Sequence, residues 1–138
     1  MKHIDPVQNL FYQKLGELFY AIAAADKVVR EEEFKMLKDL VLSRWIDIDD
    51  YIDSFGTDSA YQMEIVFEWF DYEGVDAQEC YESFREFMLE HQELFTEKRK
   101  KLILETASKI ARVFSGINKS ELVILSKLDA LFKKTSKN

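Results

Sequence analysis

The chain has 138 residues, of which 47% are apolar, and it carries a net charge of −7. This length and apolar content predict one globular domain with its own core and exclude a disordered chain. One proline and four glycines predict long helices with short connections, and a single cysteine excludes an intramolecular disulfide.

The first predicted elements are two helices joined by an acidic elbow. Asp5 suits the N-cap position and Pro6 suits the first helical position, so a helix is expected over residues 6–25. Residues 26–30 interrupt the apolar periodicity. Three glutamates then begin a second helix over residues 31–44, because acidic side chains stabilise the positive end of a helix dipole.

Three further helices are predicted in the middle of the chain. Ile48, Ile52 and Phe55 share one helical face, which predicts a short helix that ends near Gly56. Similar periodicity predicts a fourth and a fifth helix. The three predicted ranges are 47–56, 60–71 and 76–95.

Two more helices complete the chain. Thr96 is expected to cap a sixth helix over residues 97–114, and Asn118 is expected to cap a seventh. Glu121 follows Asn118 by three residues, which is the spacing of a capping box. No strand pattern is found. The sequence therefore predicts an all-α fold, a single compact domain of about seven helices over residues 1–138.

Two segments of the chain share a helix–elbow–helix pattern. They cover residues 10–44 and 97–134 and flank an acidic middle at residues 45–95. When their elbows are aligned with one deletion, Glu121 falls opposite Glu33. The sequence predicts two helix–elbow–helix repeats.

The first elbow carries a recognisable pattern. It resembles that of the TerB-like (tellurite-resistance) family of helical domains, which reads Ala-Ala-Asp-Gly, a hydrophobic residue, a capping residue and then Glu. Asp26, Val29 and Glu33 match this pattern. Lys27 stands where the family has Gly, and Arg30 stands where it has Ser, Asp or Thr.

The resemblance implies a helical domain that works within larger assemblies in tellurite and other chemical-stress responses. It also implies that acidic elbow residues, here Asp26 and Glu33, are the natural metal ligands. The residues themselves favour another role, in which Asp26 accepts backbone N–H groups as in an Asx turn. Without the flanking glycine, the loop has less freedom to wrap around an ion. A metal-binding sensor remains the alternative function.

A second candidate cation site is a cluster of aspartates. They occupy positions 1, 3, 7 and 12 of a would-be calcium loop: Asp47, Asp49, Asp53 and Asp58. Tyr51 at position 5 and Ile52 at the turn position depart from that loop. An acidic helix start is therefore expected. Weak divalent-cation binding by the four carboxylates stays open, and no other cofactor is expected.

Charge is divided unevenly along the chain. Residues 1–44 sum to zero, residues 45–95 to −14 and residues 96–138 to +7. Phosphates need a net basic face, so the acidic middle argues against nucleic acid as a partner. No signal-peptide pattern is visible at the N-terminus and no apolar run is long enough to span a bilayer, so a cytoplasmic protein is expected.

The acidic middle contains a regular stripe of glutamates on the predicted fifth helix. Its members are Glu79, Glu82, Glu86 and Glu90, continued by Glu93. Such a stripe is either a solvated face or a docking surface for a basic protein partner, and docking is the hypothesis adopted. The basic run 98–101 is expected to lie near Glu90 and Glu93, with lipid headgroups as the alternative partner.

Catalytic patterns are absent from the sequence. Cys80 and His91 share a predicted helical face, but eleven residues separate them by about 16 Å, too far for proton transfer. Phosphate-binding glycine loops and nucleophile elbows are also missing. The sequence therefore predicts a non-enzymatic binding or adaptor module and leaves its oligomeric state open. An enzyme would instead show a cleft with two or more carboxylates of strongly raised pKa.

Overall fold

The computed structural model describes residues 3–49, 51–53, 55–113 and 119–135. Six α-helices lie in these ranges. They are α1 (Pro6–Ala23), α2 (Glu31–Leu40), α3 (Gln62–Glu73), α4 (Ala77–Glu90), α5 (Glu97–Arg112) and α6 (Lys119–Thr135). Two short strands, β1 (His3–Ile4) and β2 (Tyr51–Ile52), pair in parallel. The all-α fold class is confirmed.

Helix α1 lies at the centre of the fold. It contacts α3, α4, α5 and α6, and most of its side chains beyond Leu10 are buried. Gly16 allows α3 to approach closely, because a Cβ atom at this position would lie 2.7 Å from the Met63 carbonyl oxygen. It would also lie 2.9 Å from Val66 Cβ. A larger residue at Gly16 would therefore push α3 away from α1.

The predicted helix starts are confirmed where side chains cap them. An Asp5 carboxylate oxygen accepts from the Val7 N–H at 2.9 Å. Asp76 and Thr96 cap α4 and α5 in the same way, with acceptor distances of 3.1 and 3.2 Å. At the other end of α3, Gly74 adopts φ +66°, the left-handed conformation that ends many helices.

The predicted third helix, over residues 47–56, is wrong. The described part of this segment contains β2 and a turn, and Asp53 organises the turn by accepting from the Phe55 and Thr57 N–H groups at 2.8 and 3.0 Å. These hydrogen bonds from backbone N–H groups to a side chain take the place of the backbone hydrogen bonds that a helix would form. Phe55, expected on an apolar face, is 90% exposed. The strand pair also corrects the expectation of no strands, and the described residues contain six helices where about seven were predicted.

The α-helical parts of the second and fifth predicted helices are shorter than expected. After Leu40 the chain continues as a π-helical turn over Val41–Trp45, and Trp45 is buried with its indole N–H donating to Thr106 at 3.0 Å. Helix α4 ends at Glu90 and is followed by a 3₁₀ turn over Gln92–Leu94. The second elbow and its Asn118 cap lie outside the described residues, so the second repeat stays a prediction.

Candidate functional site

The first elbow is held together by its own side chains. Asp26 accepts from the Val28 N–H at 3.1 Å and, through its second oxygen, from the Arg30 guanidinium at 3.1 Å. This is the Asx turn expected from the sequence. Lys27 adopts φ +68°, in the left-handed region that glycine enters without steric cost. A glycine would therefore suit this position of the elbow.

Glu33 and Glu121, aligned in the sequence, meet in the fold. Both side chains are buried, with 1% and 2% exposure, and they hydrogen-bond to each other. Glu33 also accepts from the Arg30 N–H at 2.9 Å. Burial, with the charge of Glu121, raises the pKa of Glu33 to about 7. The pair therefore connects the first turns of α2 and α6, and Glu33 holds its proton more tightly than an exposed glutamate does.

The four aspartates of the would-be calcium loop have separate roles. Asp49 binds Arg99, Asp53 organises the turn after β2, and Asp58 accepts from the Ala60 N–H at 2.9 Å. Asp47 is exposed on the surface. Among residues 3–49, 51–53, 55–113 and 119–135, no group of three or more His, Cys, Asp or Glu side chains is arranged to hold a metal ion.

Arg99 is buried and hydrogen-bonds to several separate segments of the chain, a role that the sequence patterns did not indicate. Its guanidinium donates to Asp49 at 2.7 Å, to Gln8 at 2.6 Å and to the Leu94 carbonyl at 2.8 Å, and it lies 4.2 Å from the centre of the Phe11 ring. Burial and the hydrogen bond to Asp49 also raise the pKa of Tyr12.

The basic run over residues 98–101 was expected to pair with Glu90 and Glu93. Within the described ranges, Arg99 pairs with Asp49 and Lys100 pairs with Glu97.

The predicted partner-binding stripe lies on the outer side of α4. Glu79, Glu86 and Glu90 are exposed, and Glu82 is half-buried between Gln78 and Arg85. The exposed large apolar residues of the described chain do not include any from α4. This face can attract a basic partner but has no apolar anchor to hold it.

The outer face of α3 combines negative charge with apolar side chains. Ile65, Trp69 and Tyr72 follow one another at i, i+4 and i+7 and are 56%, 58% and 86% exposed. We call these three residues the α3 ridge. Glu68 and Asp71 beside them are also exposed, and α3 contains no basic residue. The side of α3 that faces the core is also apolar, so the sequence of residues 62–73 has apolar side chains on two helix faces. This pattern in the sequence could have indicated the ridge.

A cleft of 660 Å³ lies at the C-terminal end of α3. Its lining includes two carboxylates, Asp71 and Asp76, and the side chain of Lys27 from the first elbow. Tyr20 also lines it and donates to the Val75 carbonyl at 2.7 Å. The Glu33–Glu121 pair does not line this cleft. The feature expected of an enzyme, raised-pKa carboxylates facing a cleft, is therefore not formed by that pair.

Cys80 and His91 have separate surroundings. Burial raises the pKa of the Cys80 thiol to about 12, so the thiolate is scarce at neutral pH. The His91 ring packs 4.5 Å from the Phe87 ring, and its Nδ1 atom lies 3.6 Å from Glu93. These contacts are consistent with structural roles for both residues.

Comparisons with protein-family models, curated proteins and solved structures return no match. The TerB-like resemblance therefore rests on the elbow residues alone. Within the described ranges, no helix combines the length and apolar character needed to cross a membrane.

Proposed function

We propose that this chain is a non-enzymatic protein-binding module with its docking surface at the α3 ridge. The observation that carries the proposal is the exposure of Ile65, Trp69 and Tyr72 along a single helix face. Large apolar side chains grouped on a surface often mark an interaction site. Tryptophan and tyrosine are also the side chains most enriched among residues that dominate binding energy.

The charged groups of the described core support a structural role over catalysis. Asp49 and Arg99 bind each other, and Asp26 binds within its own elbow. The Cys80 thiol stays protonated near neutral pH because burial raises its pKa. Metal sensing through Asp26 and Glu33 is the weaker candidate, since both carboxylates already accept hydrogen bonds from elbow residues.

The biological setting is part of the same proposal. The elbow residues Asp26, Val29 and Glu33 resemble those of TerB-like domains. By that resemblance, the module would serve a larger cytoplasmic assembly in a tellurite or other chemical-stress response. A buried, unbridged Cys80 suits a reducing compartment.

Quantitative capture from a native lysate tests the binding function. The bait is the full chain, compared with a double variant carrying Trp69→Ala and Tyr72→Ala. Phe55→Ala is the control, because Phe55 is a large aromatic side chain more exposed than either Trp69 or Tyr72 but lies in the loop before α3. We expect mass spectrometry to find proteins recovered with wild type and Phe55→Ala and depleted about tenfold with the double variant. Equal recovery by all three baits would refute a docking role for the ridge.

A further inference from the structure

We infer that the α3 ridge receives a basic amphipathic helix from a partner protein, with apolar side chains against the ridge and Lys or Arg against its acidic flanks. This inference rests on the proposed binding function and specifies the chemistry of the partner. It follows from the shape of the ridge and from its charge.

The shape of the ridge favours a helical occupant. From Ile65 to Trp69 to Tyr72 the helix rises by about 10 Å, or two turns. The three side chains lie along the helix direction as a narrow apolar strip. A partner helix lying alongside α3 can cover such a strip with apolar residues at its own i, i+3 or i+4, and i+7 positions.

The charge carried by α3 itself favours a basic partner. Glu68, Asp71 and Glu73 on α3 are all exposed. The sequence contains no Lys or Arg between Arg44 and Arg85. A partner with the opposite charge gains attraction and faster association, whereas anionic surfaces such as nucleic acid or acidic lipid are repelled.

Arginine or lysine on the partner would also match the aromatic part of the ridge. Cations bind over the faces of tryptophan and tyrosine, most strongly over tryptophan. Trp69 and Tyr72 are both exposed, and each has a glutamate four residues away on the same helix face, Glu73 for Trp69 and Glu68 for Tyr72. A guanidinium group could therefore contact a ring and a carboxylate together. This combination is found on α3 but not on the acidic face of α4, which lacks exposed aromatic side chains.

A second copy of this chain is the competing occupant. Helix α6 exposes Leu122 and Val123 near Lys119 and Lys127, so it offers a smaller basic and apolar surface. Its apolar residues are adjacent in sequence and do not form a strip along the helix. For this reason a separate amphipathic helix fits the ridge better, and self-association becomes an outcome that the experiment must detect.

The two tryptophans make a direct measurement possible. Trp45 is fully buried and Trp69 is 58% exposed, so acrylamide quenching reports on the ridge. The probe is a Leu/Lys peptide about 18 residues long that forms an amphipathic helix of five turns. One control peptide replaces every Lys with Glu, and a second has the same composition in an order without an apolar face.

We expect saturable binding of the amphipathic Leu/Lys peptide, with a blue shift and loss of acrylamide quenching at Trp69. Tyr72→Ala should weaken binding about tenfold. Neutralising α3 with Glu68→Gln, Asp71→Asn and Glu73→Gln should weaken it and reduce its salt dependence. The matched triple variant on α4, Glu79→Gln, Glu82→Gln and Glu86→Gln, should stay within about twofold of wild type.

Three results would overturn the inference. The first is equal binding of the Glu peptide or of the peptide without an apolar face. The second is an equal loss of affinity in the α4 triple variant. The third is protection of Trp69 without peptide together with a dimer in sedimentation equilibrium, which would assign the ridge to a second copy. If lysate capture depends on Trp69 and Tyr72 but the peptide does not bind, the partner chemistry fails and the proposed function survives.

Discussion

Two sets of carboxylates in this protein have opposite surroundings. The interior carboxylates, Asp49, Asp53 and Glu33, are buried or half-buried and bind groups of the protein itself. The outer carboxylates of α3 and α4 mostly face solvent. Both sets look alike in the sequence. The donors around a carboxylate, and not the local density of acidic residues, decide whether it stabilises the fold or remains available to a partner.

The outer set is itself divided by its neighbours. On α3 the carboxylates border exposed aromatic side chains, whereas on α4 they border polar residues and Arg85. An acidic face with an apolar anchor can hold a partner after charge has attracted it. If the interior and outer carboxylates also differ in what they contribute to folding, removing an interior one should cost far more stability than removing an outer one.

The largest effect is expected at the Asp49–Arg99 pair. Asp49→Ala removes the carboxylate from a buried guanidinium and should lower the free energy of unfolding by about 3 kcal/mol. Arg44→Gln is the control, because it breaks an exposed pair with Glu105 and should cost about 0.5 kcal/mol. Urea denaturation measures both. Equal losses would mean that burial does not distinguish the two pairs.

Asp53→Ala should have the next largest effect. It leaves the Phe55 and Thr57 N–H groups without their acceptor, and we expect a loss of about 2 kcal/mol in the free energy of unfolding. Asp47→Ala, from the same acidic segment but exposed, should change stability by less than about 0.5 kcal/mol. Thermal denaturation of the two variants would contradict the comparison if their midpoints were the same.

Glu33 should make stability depend on pH. Burial and Glu121 raise its pKa from 4.5 to about 7, so the folded state binds the proton more tightly than the unfolded state. The stabilisation is complete below about pH 4.5 and is lost as pH rises through about 7. In Glu33→Gln the amide oxygen can still accept from the Arg30 N–H, and the amide N–H can donate to Glu121. The free energy of unfolding of this variant should therefore change less with pH than that of wild type.

At about pH 8 the Glu33→Gln variant should exceed wild type by on the order of 1–2 kcal/mol. Glu32→Gln is the control, because Glu32 is exposed in the same turn and its removal should leave the slope unchanged. Urea midpoints between about pH 5 and pH 8 measure the slope. Parallel profiles for wild type and Glu33→Gln would show that Glu33 does not carry this pH dependence.

The smallest effect is expected on α4. Replacing Glu79, Glu82 and Glu86 with Gln removes like-charge repulsion at i+3 and i+4 and should raise stability by a few tenths of a kcal/mol. The gain should shrink as salt is added, because salt already screens these exposed charges. A clear loss of stability, measured by calorimetry at low salt, would place these glutamates among the stabilising carboxylates.

Local rules predicted the parts of the fold whose partners are close in sequence. The caps at Asp5 and Thr96 bind N–H groups two or three residues ahead, so the residues needed to recognise them are adjacent. The segment over residues 47–56 was misread because its apolar spacing suited a helix. In the fold, Asp53 binds the turn's N–H groups and β2 pairs with β1 at the distant N-terminus.

The sequence by itself determined the helical class, the principal helix starts and the uneven distribution of charge, because these depend on periodicity, capping and composition. Only the tertiary structure decided which charges are used inside the protein. Arg99 meets Asp49 across fifty residues, and Glu33 meets Glu121 when α2 and α6 come together. It also decided that Trp69 faces outward, since burial depends on which face of α3 packs against α1. Such long-range contacts follow from packing, which local sequence patterns do not specify.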